Sequence, residues 1–251
     1  MTSLVVVLTG PTSVVLEAID AGSGALTASE AERMRSFRRP EDRQDFLAGH
    51  LLVRACAARL LRVAAADVAV VQRCPTCGGP HGRPQVVGHP ELGASLAHSR
   101  GVVAAAAGAG PVGVDVEAAP PAGEPLPNGL TAAELTAALT AAERQAVEAA
   151  PDPARALLVA WARKEAFVKA GVVDLDDLRT FDLSGLPVDT PPGDRTLRSA
   201  RHGRWAVHDW WDALAGAVGA VAAPAGAAVT LAGPSAAPVA PRSVFSAPGP
   251  R

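Results

Sequence analysis

Two similar helix-starting signals, one in each half of the chain, constrain the fold more than any other feature of the sequence. Thr27-Ala-Ser-Glu30 and Thr140-Ala-Ala-Glu143 both fit a capping box, in which a threonine hydroxyl accepts a backbone N–H and the glutamate reaches back. A long helical pattern follows each box and starts with a proline, Pro40 in the first half and Pro153 in the second. The similarity of these two segments predicts two similar halves that divide near Gly110, although an Ala-rich chain also produces such similarities by chance.

The apolar patterns predict an α+β fold of two similar α/β subdomains related by a pseudo-twofold axis, with the active site in the cleft between them. The predicted subdomains are residues 1–110 and 111–222, followed by a disordered tail at 223–251. Helices are predicted from Thr27 to before Pro40, from Pro40 to about Val63 and over Pro153–Ala170. Single strands are predicted at Leu4–Leu8, Asp67–Gln72 and Val112–Val116. Two hairpins are predicted, one that turns at Arg100-Gly101 and one formed by Arg204–Trp211 with Leu214–Val221. Ala118–Gly129 is a predicted linker.

The bulk composition excludes several classes of protein. A net charge of −2 leaves no global basic field, so a nucleic-acid binder is not expected, and three cysteines do not make a disulfide framework. The chain shows neither a signal peptide nor a membrane-spanning pattern, so a cytoplasmic protein is expected. An anionic ligand would need a local basic cluster, and the candidate is Arg33, Arg35, Arg38, Arg39 and Arg43. Solvated helix charges are the alternative interpretation of these arginines.

A predicted strand with two carboxylates on one side occupies Val112-Gly-Val-Asp-Val-Glu117. Because side chains alternate along a strand, Gly113, Asp115 and Glu117 share the face opposite to the valines. The two carboxylates then lie about 7 Å apart and repel each other unless a cation separates them. Such an oxygen-rich pair suits Mg²⁺, especially when substrate phosphates complete its coordination. Taken alone, the segment also fits a solvated strand face.

The second informative segment is Trp161-Ala-Arg-Lys-Glu-Ala-Phe-Val-Lys169, in which Trp161, Glu165 and Lys169 recur every four residues. This spacing places the three side chains on one face of a helix. A surface Glu–Lys pair would stabilise that helix by only about 0.3–0.5 kcal/mol, and this structural interpretation stays open. The tryptophan in the same row argues against full exposure, and a half-buried Glu165 needs a cation or a metal ion beside it.

Together, the two segments resemble the signature of the 4′-phosphopantetheinyl transferases, G-[IV]-D-[IV]-E followed by W-x-x-K-E-x-x-x-K. The length of the chain indicates the larger, monomeric, Sfp-like branch, and the resemblance covers residues 26–221. Three further stretches are similar to motifs of the same family: the Gly-x-Pro loop in Cys77–Pro84, the histidine–serine segment Ser95–Ser99 and the Gly-x-x-L-x-R helix in Glu41–Arg54.

The resemblance implies a defined reaction, in which coenzyme A donates its phosphopantetheine arm to a serine of an apo acyl or peptidyl carrier protein and 3′,5′-ADP is released. The implied Mg²⁺ ligands are Asp115, Glu117 and Glu165, and the implied catalytic residues are Glu165, as the base, and Lys169. Residues 1–110 are expected to bind coenzyme A and residues 111–222 to hold the magnesium and the catalytic residues. The expected coenzyme A-binding residues are Arg33, Arg38, Arg43, Arg83, His98, Ser99 and Lys164.

Departures from the family pattern keep other functions open. Asp45 stands where the second helix usually carries a basic residue, Ala97 replaces a serine before His98, and Gly171–Leu175 matches the Gly-x-Gly-Leu pattern only in part. Asp45 and Ala97 favour a non-catalytic module that binds carrier proteins through a degenerate nucleotide site, and His98 is then a structural core histidine. Another Mg²⁺-dependent enzyme of nucleotide pyrophosphates is a third hypothesis, although the chain contains neither a P-loop nor a Rossmann glycine motif.

A separate cluster of metal-ligand residue types lies in Cys74-Pro-Thr-Cys77 and the nearby His81. These residues offer three zinc ligands, whereas a structural zinc site needs four, and His89 is a candidate for the fourth. A redox pair and a simple turn are the alternatives.

Overall fold

The computed structural model describes residues 3–19, 26–74, 76–120, 131–189 and 193–234. Within these ranges the chain forms two β-sheets and six α-helices, which confirms the predicted α+β class. The strands are β1 (Leu4–Pro11), β2 (Val70–Gln72), β3 (Pro84–Val86), β4 (Leu92–Ser99), β5 (Val102–Ala109), β6 (Gly113–Ala118), β7 (Arg198–His202), β8 (Trp205–Asp212), β9 (Ala217–Pro224) and β10 (Ala228–Ala232). The helices are α1 (Thr12–Ala18), α2 (Ala28–Ser36), α3 (Pro40–Leu61), α4 (Ala132–Ala137), α5 (Ala141–Glu148) and α6 (Pro153–Ala170).

The elements stack in four layers. The first sheet has the strand order β10-β1-β5-β4-β3-β2, and the long helix α3 packs on one of its faces. The second sheet has the order β6-β9-β8-β7, and α6 packs on its outer face. A core of small apolar side chains, closed by the buried ring of Trp210, fills the space between the two sheets.

Strand pairing follows the same order in both halves of the chain. In the first sheet β1 pairs antiparallel with β5, which pairs antiparallel with β4. In the second sheet β6 pairs antiparallel with β9, which pairs antiparallel with β8. A short capped helix and a long helix lie between the first strand and the later strands in each half. This correspondence is what an internal repeat would produce.

Both predicted capping boxes are present, and each glutamate also binds a basic side chain of the following long helix. Glu30 Oε2 accepts from the Thr27 backbone N–H and from Arg54 Nη2, each at 2.7 Å, while Glu30 Oε1 lies 2.7 Å from His50 Nδ1. Glu143 Oε2 accepts from the Thr140 N–H at 2.7 Å and lies 2.9 Å from the Lys164 ammonium. The capping boxes therefore attach the short helices to the long ones.

The predicted disordered tail is corrected for residues 223–234. Strand β9 continues to Pro224, and β10 then pairs in parallel with β1. Without β10, β1 would be an edge strand with unpaired backbone groups, and β10 also brings Val229 and Leu231 against the core between the sheets. The Ala-rich composition hid this alternating pattern. Residues 235–251, and residues 121–129 of the predicted linker, lie outside the described ranges.

Other element predictions are confirmed with small shifts at their ends. The α6 helix has the predicted bounds, because Pro153 occupies its first turn and Gly171, with φ 76°, ends it in the left-handed conformation. The first hairpin turns at Arg100 and Gly101, both with positive φ, as a two-residue hairpin loop requires. Helix α4 was missed, although Thr131 and Glu134 form a third capping box at its start. No helix in the described ranges combines the length and the apolar character needed to cross a bilayer.

The buried carboxylate of Glu30 gives a test of how α2 is held on α3. Although burial opposes ionisation, hydrogen bonds from His50 and Arg54 outweigh it and lower the pKa of Glu30 from 4.5 to about 2. A depressed carboxyl pKa stabilises the fold above the unfolded-state value, and this contribution is lost as the pH falls through the folded-state value.

We predict that Glu30→Gln lowers the free energy of unfolding by roughly 3 kcal/mol at neutral pH, because glutamine keeps the cap but removes the charge. The difference from wild type should shrink as the pH falls from 4.5 towards 2. The matched control is Glu134→Gln, a capping box on the exposed surface, which should cost less than about 1 kcal/mol. Urea unfolding at several pH values measures both, and equal losses in the two variants would contradict the role of the ion pair.

Candidate active site

Strand β6 and helix α6 touch through their backbones at Gly113. A Cβ atom at this position would overlap the carbonyl oxygen of Ala166 and the amide nitrogen of Ala170. Only glycine allows so close an approach. The contact brings the polar face of β6, which carries Asp115 and Glu117, against the helix face of Trp161, Glu165 and Lys169, while Val112, Val114 and Val116 face the other sheet. The alternation predicted from the sequence is therefore confirmed.

Asp115 is a buried carboxylate that is only partly bonded. Its Oδ1 lies 2.5 Å from the ammonium of Lys169, whereas its Oδ2 is buried without a hydrogen-bond partner among the described residues. Burial raises the pKa of Asp115, and the Lys169 ammonium opposes that effect. Burial lowers the pKa of Lys169, but the neighbouring carboxylates, Asp115 first, outweigh it and raise that pKa. A buried orphaned carboxylate oxygen fits a site for a cation.

Glu117 is held at both oxygens by neutral donors. Trp161 donates its indole N–H to Oε1 at 3.1 Å, and Ser99 donates its hydroxyl to Oε2 at 2.9 Å. Burial, followed by the charge of Asp115, raises the pKa of Glu117 to about 8. The two donors fix the direction of the carboxylate without neutralising its charge.

Glu165 completes a group of three carboxylates around one ammonium. It is partly buried on α6, and its pKa is raised by burial and then by the charge of Asp115, against the opposing effect of Lys169. The oxygen donor set fits a hard divalent cation such as Mg²⁺, which takes one or two carboxylates and completes its shell with water and substrate phosphates. The oxygen atoms of the three carboxylates do not all lie within 4.8 Å of one another, whereas the ligand atoms of Cys74, Cys77 and His81 do. The structure therefore brings the three carboxylates to one region without forming a closed set of metal ligands.

Two serines of β4 connect the first sheet to β6. Strand β6 is an edge of the second sheet, so the backbone groups on its outer side lack a strand partner. Ser95 Oγ accepts the N–H of Val114 at 3.0 Å, and Ser99 Oγ accepts the N–H of Ala118 at 3.3 Å. The predicted site residue Ser99 thus bonds both to the backbone of β6 and to Glu117.

His98 lies on the face of β4 that packs against α3, opposite to Ser99. Burial lowers the pKa of His98; the charges of Asp45 and Asp42 raise it, and the ammonium of Lys169 lowers it. The histidine is therefore in electrostatic contact with both the N-terminal turn of α3 and the carboxylate group. Asp45 itself accepts from Thr12 Oγ1 at 2.5 Å and from the Gly101 N–H at 3.1 Å, which gives it a structural role in place of a phosphate contact.

Arg83 reaches from the first half of the chain to the end of α6. Its guanidinium donates to the Val168 carbonyl at 3.3 Å and lies against Gly171, where any Cβ would overlap it. A cation at a helix C-terminus is favoured by the unpaired carbonyl groups there. The contact places a basic side chain one helical turn or less from Lys169.

The remaining predicted ligands are not brought to the carboxylates. The Lys164 ammonium donates to Leu178 and Phe181 carbonyls at 2.6 and 2.7 Å and pairs with Glu143, which uses all three of its donors. Three arginines are exposed: Arg33 on α2, Arg38 after α2 and Arg43 at the start of α3. Arg43 donates to the Phe37 carbonyl at 2.9 Å. As coenzyme A contacts, these three arginines stay predictions.

The sequence did not predict the ion-pair network that holds α6 on the second sheet. Arg163 forms a buried ion pair with Asp209 of β8 and donates to the Pro187 carbonyl at 2.5 Å, while Arg198 pairs with the same aspartate at 2.9 Å. This network braces α6 against the second sheet. The signal available in the sequence was Arg163, a charged residue on a side of the helix that is otherwise apolar. The hydrogen bond from Trp161 to Glu117 was also missed, since the partner is distant in sequence.

Comparison with known families gives a match in the second half of the chain. Residues 111–223 match the family model of the 4′-phosphopantetheinyl transferase superfamily, a range that contains β6, α6 and the carboxylate group. A domain of this superfamily implies a transferase of phosphopantetheine, with coenzyme A as substrate and typically a divalent metal. A search of curated proteins finds no match to the chain.

We predict that Gly113→Ala lowers the free energy of unfolding by about 1–3 kcal/mol, because the new methyl must push α6 away from β6. The matched control is Gly185→Ala, where a Cβ meets nothing within 4 Å and φ is not positive. Urea unfolding of both variants measures the difference. Equal stabilities would show that the strand–helix contact tolerates expansion and would contradict the role given to Gly113.

Proposed function

We propose that the chain transfers the 4′-phosphopantetheine arm of coenzyme A to a serine hydroxyl of an apo acyl or peptidyl carrier protein and releases 3′,5′-ADP. The observation that carries this proposal is that Lys169 pairs with Asp115 and interacts electrostatically with Glu165 and Glu117, inside the range that matches the superfamily. The proposal includes the larger, monomeric, Sfp-like form of the enzyme, which the length of the chain suggested.

The proposed metal ligands are Asp115, Glu117 and Glu165. Support comes from their oxygen chemistry and from the buried, unbonded Oδ2 of Asp115. When bound, Mg²⁺ would neutralise charge on the pyrophosphate of coenzyme A. The bonds that Trp161 and Ser99 make to Glu117 would keep that ligand oriented, as hydrogen bonds to metal-binding side chains do at other metal sites.

Glu165 is the proposed base. As the serine oxygen forms a bond to the phosphorus that carries the pantetheine, the bond from that phosphorus to the oxygen of 3′,5′-ADP breaks, and the serine proton passes to Glu165 directly or through water. A partly buried carboxylate with a raised pKa holds a proton better than an exposed one. Lys169 would donate to the phosphate oxygens as negative charge moves to the leaving group.

The proposed coenzyme A end of the site uses residues of the first half. A 3′-phosphate carries about −1.5 to −2 charges, so it needs basic partners. Arg83 lies at the C-terminal end of α6, and His98 interacts electrostatically with Lys169 and Asp115. Arg33, Arg38 and Arg43 are exposed on α2, after α2 and at the start of α3, respectively. Ser99 would act through Glu117, since its hydroxyl already donates there. The bound ammonium of Lys164 leaves that residue without a free donor for coenzyme A.

We further propose that the two halves are related by a pseudo-twofold axis and that the active site lies in the cleft between them, with residues 1–110 binding coenzyme A. The shared strand pairing and the matching Glu30–Arg54 and Glu143–Lys164 pairs support the relation. Side chains from both halves meet at Glu117, which supports the location of the site.

The carrier-binding module without activity is not favoured. Asp45 and Ala97 were the reasons to consider it, and Asp45 now has two structural partners, Thr12 and the backbone of Gly101. Its presence therefore does not indicate a degenerate site.

We predict that the purified protein, incubated with coenzyme A, MgCl₂ and an apo carrier protein, adds one phosphopantetheine arm to the carrier and that EDTA abolishes the addition. Intact-protein mass spectrometry of the carrier measures the product. Binding of several apo carriers without any gain in mass would instead support the non-catalytic module.

We predict that Glu165→Gln reduces the transfer rate by at least about 10²-fold, the typical contribution of a general base. Asp115→Asn should raise the Mg²⁺ concentration needed for half-maximal rate, because the substitution removes one ligand charge. The matched control is Glu148→Gln on the exposed side of α5, which should leave both quantities unchanged. An unchanged rate in Glu165→Gln would remove this residue from the mechanism.

A further inference from the structure

A second group of ligand atoms lies in the β2–β3 loop, apart from the carboxylates. The Sγ atoms of Cys74 and Cys77 and a ring nitrogen of His81 lie within 4.8 Å of one another, and Cys77 Sγ is 3.0 Å from His81 Nε2. We propose that this loop binds a zinc ion through these three side chains. The site is independent of the proposed transferase reaction, because no carboxylate of that reaction takes part in it.

The distances and the ligand chemistry both fit zinc. Two thiolates and an imidazole form a soft to borderline set that suits Zn²⁺ and not Mg²⁺. Zn–S bonds of about 2.3 Å and Zn–N bonds of about 2.0 Å hold tetrahedral ligands about 3.5–3.8 Å apart, a separation compatible with three atoms that all lie within 4.8 Å of one another. Cys56, the third cysteine of the chain, is buried on α3 and donates to the Ala105 carbonyl, so it does not belong to the set.

The backbone of the loop is shaped around the three ligands. Cys74 N donates to Gly79 O, Gly78 N to Cys74 O and His81 N to Gly79 O, each at 2.9 Å. Gly79 N also donates to Cys77 Sγ at 3.4 Å, the kind of second bond that orients and stabilises a metal-bound thiolate. A Cβ at Gly79 would lie only 3.3 Å from Cys77 Sγ and 3.2 Å from the His81 ring, so glycine leaves the room that the ligands use.

The fourth coordination position is assigned to water. His89, the other candidate, lies 3.2 Å from Glu91 and does not belong to the group of ligand atoms. Cys77 and His81 are exposed, so solvent reaches the open side of the site. Three protein ligands and one water is the open arrangement that zinc takes in catalytic sites, so the proposed site differs from a closed structural site with four protein ligands.

The loop leads directly to Arg83, so an ion bound in the loop would also influence the position of that side chain. Gln72 Nε2 donates to the Gly82 carbonyl at 2.7 Å, so both ends of the loop are tied together. The next residue, Arg83, donates to the end of α6. A zinc ion at the tip of the loop would hold the segment between these contacts in one conformation and thereby keep Arg83 on the helix that carries Lys169.

The test is the metal content of the full chain, purified without a polyhistidine tag and dialysed after exposure to ZnCl₂. We expect about one zinc per chain in the wild type and in the control variant Cys56→Ala, and loss of most of it in Cys74→Ser/Cys77→Ser, measured by plasma mass spectrometry. Replacement by Co²⁺ should give a thiolate-to-cobalt absorption band in the near ultraviolet, which His81→Ala should shift or weaken.

Two results would overturn the proposal. One is a wild-type chain without zinc or a cobalt band, including a chain whose mass shows a Cys74–Cys77 disulfide in its place. The other is a zinc content that is the same in wild type and in the double serine variant. Neither readout uses transferase activity, so failure of the zinc site and failure of the proposed function are distinguishable.

Discussion

The backbone contact between Gly113 and the last turns of α6 is the constraint on which the rest of the site depends. It brings a strand face with two carboxylates against a helix face with a third carboxylate and a lysine. Burial opposes the ionisation of these three acids and raises the pKa of each, and a single ammonium, that of Lys169, opposes the effect. Packing elsewhere offsets this unfavourable energy. Helix α6 buries Ala166 and Phe167 on the second sheet, and the ion pair of Arg163 with Asp209 holds the helix there.

The same region also joins the two halves of the chain. Edge strand β6 has backbone N–H groups that need partners, and serine hydroxyls of β4 accept two of them. One of these serines, Ser99, also donates to Glu117, while Trp161 donates to the other oxygen of that carboxylate from α6. The position of Glu117 therefore depends on contacts from both halves, and a shift between the sheets would move a site carboxylate.

The sequence predicted those features that depend on local periodicity. Alternation in β6 and the four-residue spacing of Trp161, Glu165 and Lys169 placed the correct side chains on facing surfaces, and Pro153 and Gly171 marked both ends of α6. Features that depend on distant partners were not predictable. The carboxylate of Asp45 meets Thr12 and Gly101 from other elements, and β10 forms because β1 offers it an open edge. Neither partner is visible in the local pattern.

Lys164 shows how a structural contact next to the site can control it. Successive helix residues point about 100° apart, so a lysine that is fixed on one side of α6 fixes the direction of the next residue. The ion pair with Glu143 and the bonds to two carbonyl groups hold Lys164 on the side of α5. Glu165 must then point away from α5 and towards β6. The capping glutamate of α5 therefore adds, through Lys164, to the contact at Gly113 in holding α6 in the rotation at which Glu165 lies on the side of the carboxylate group.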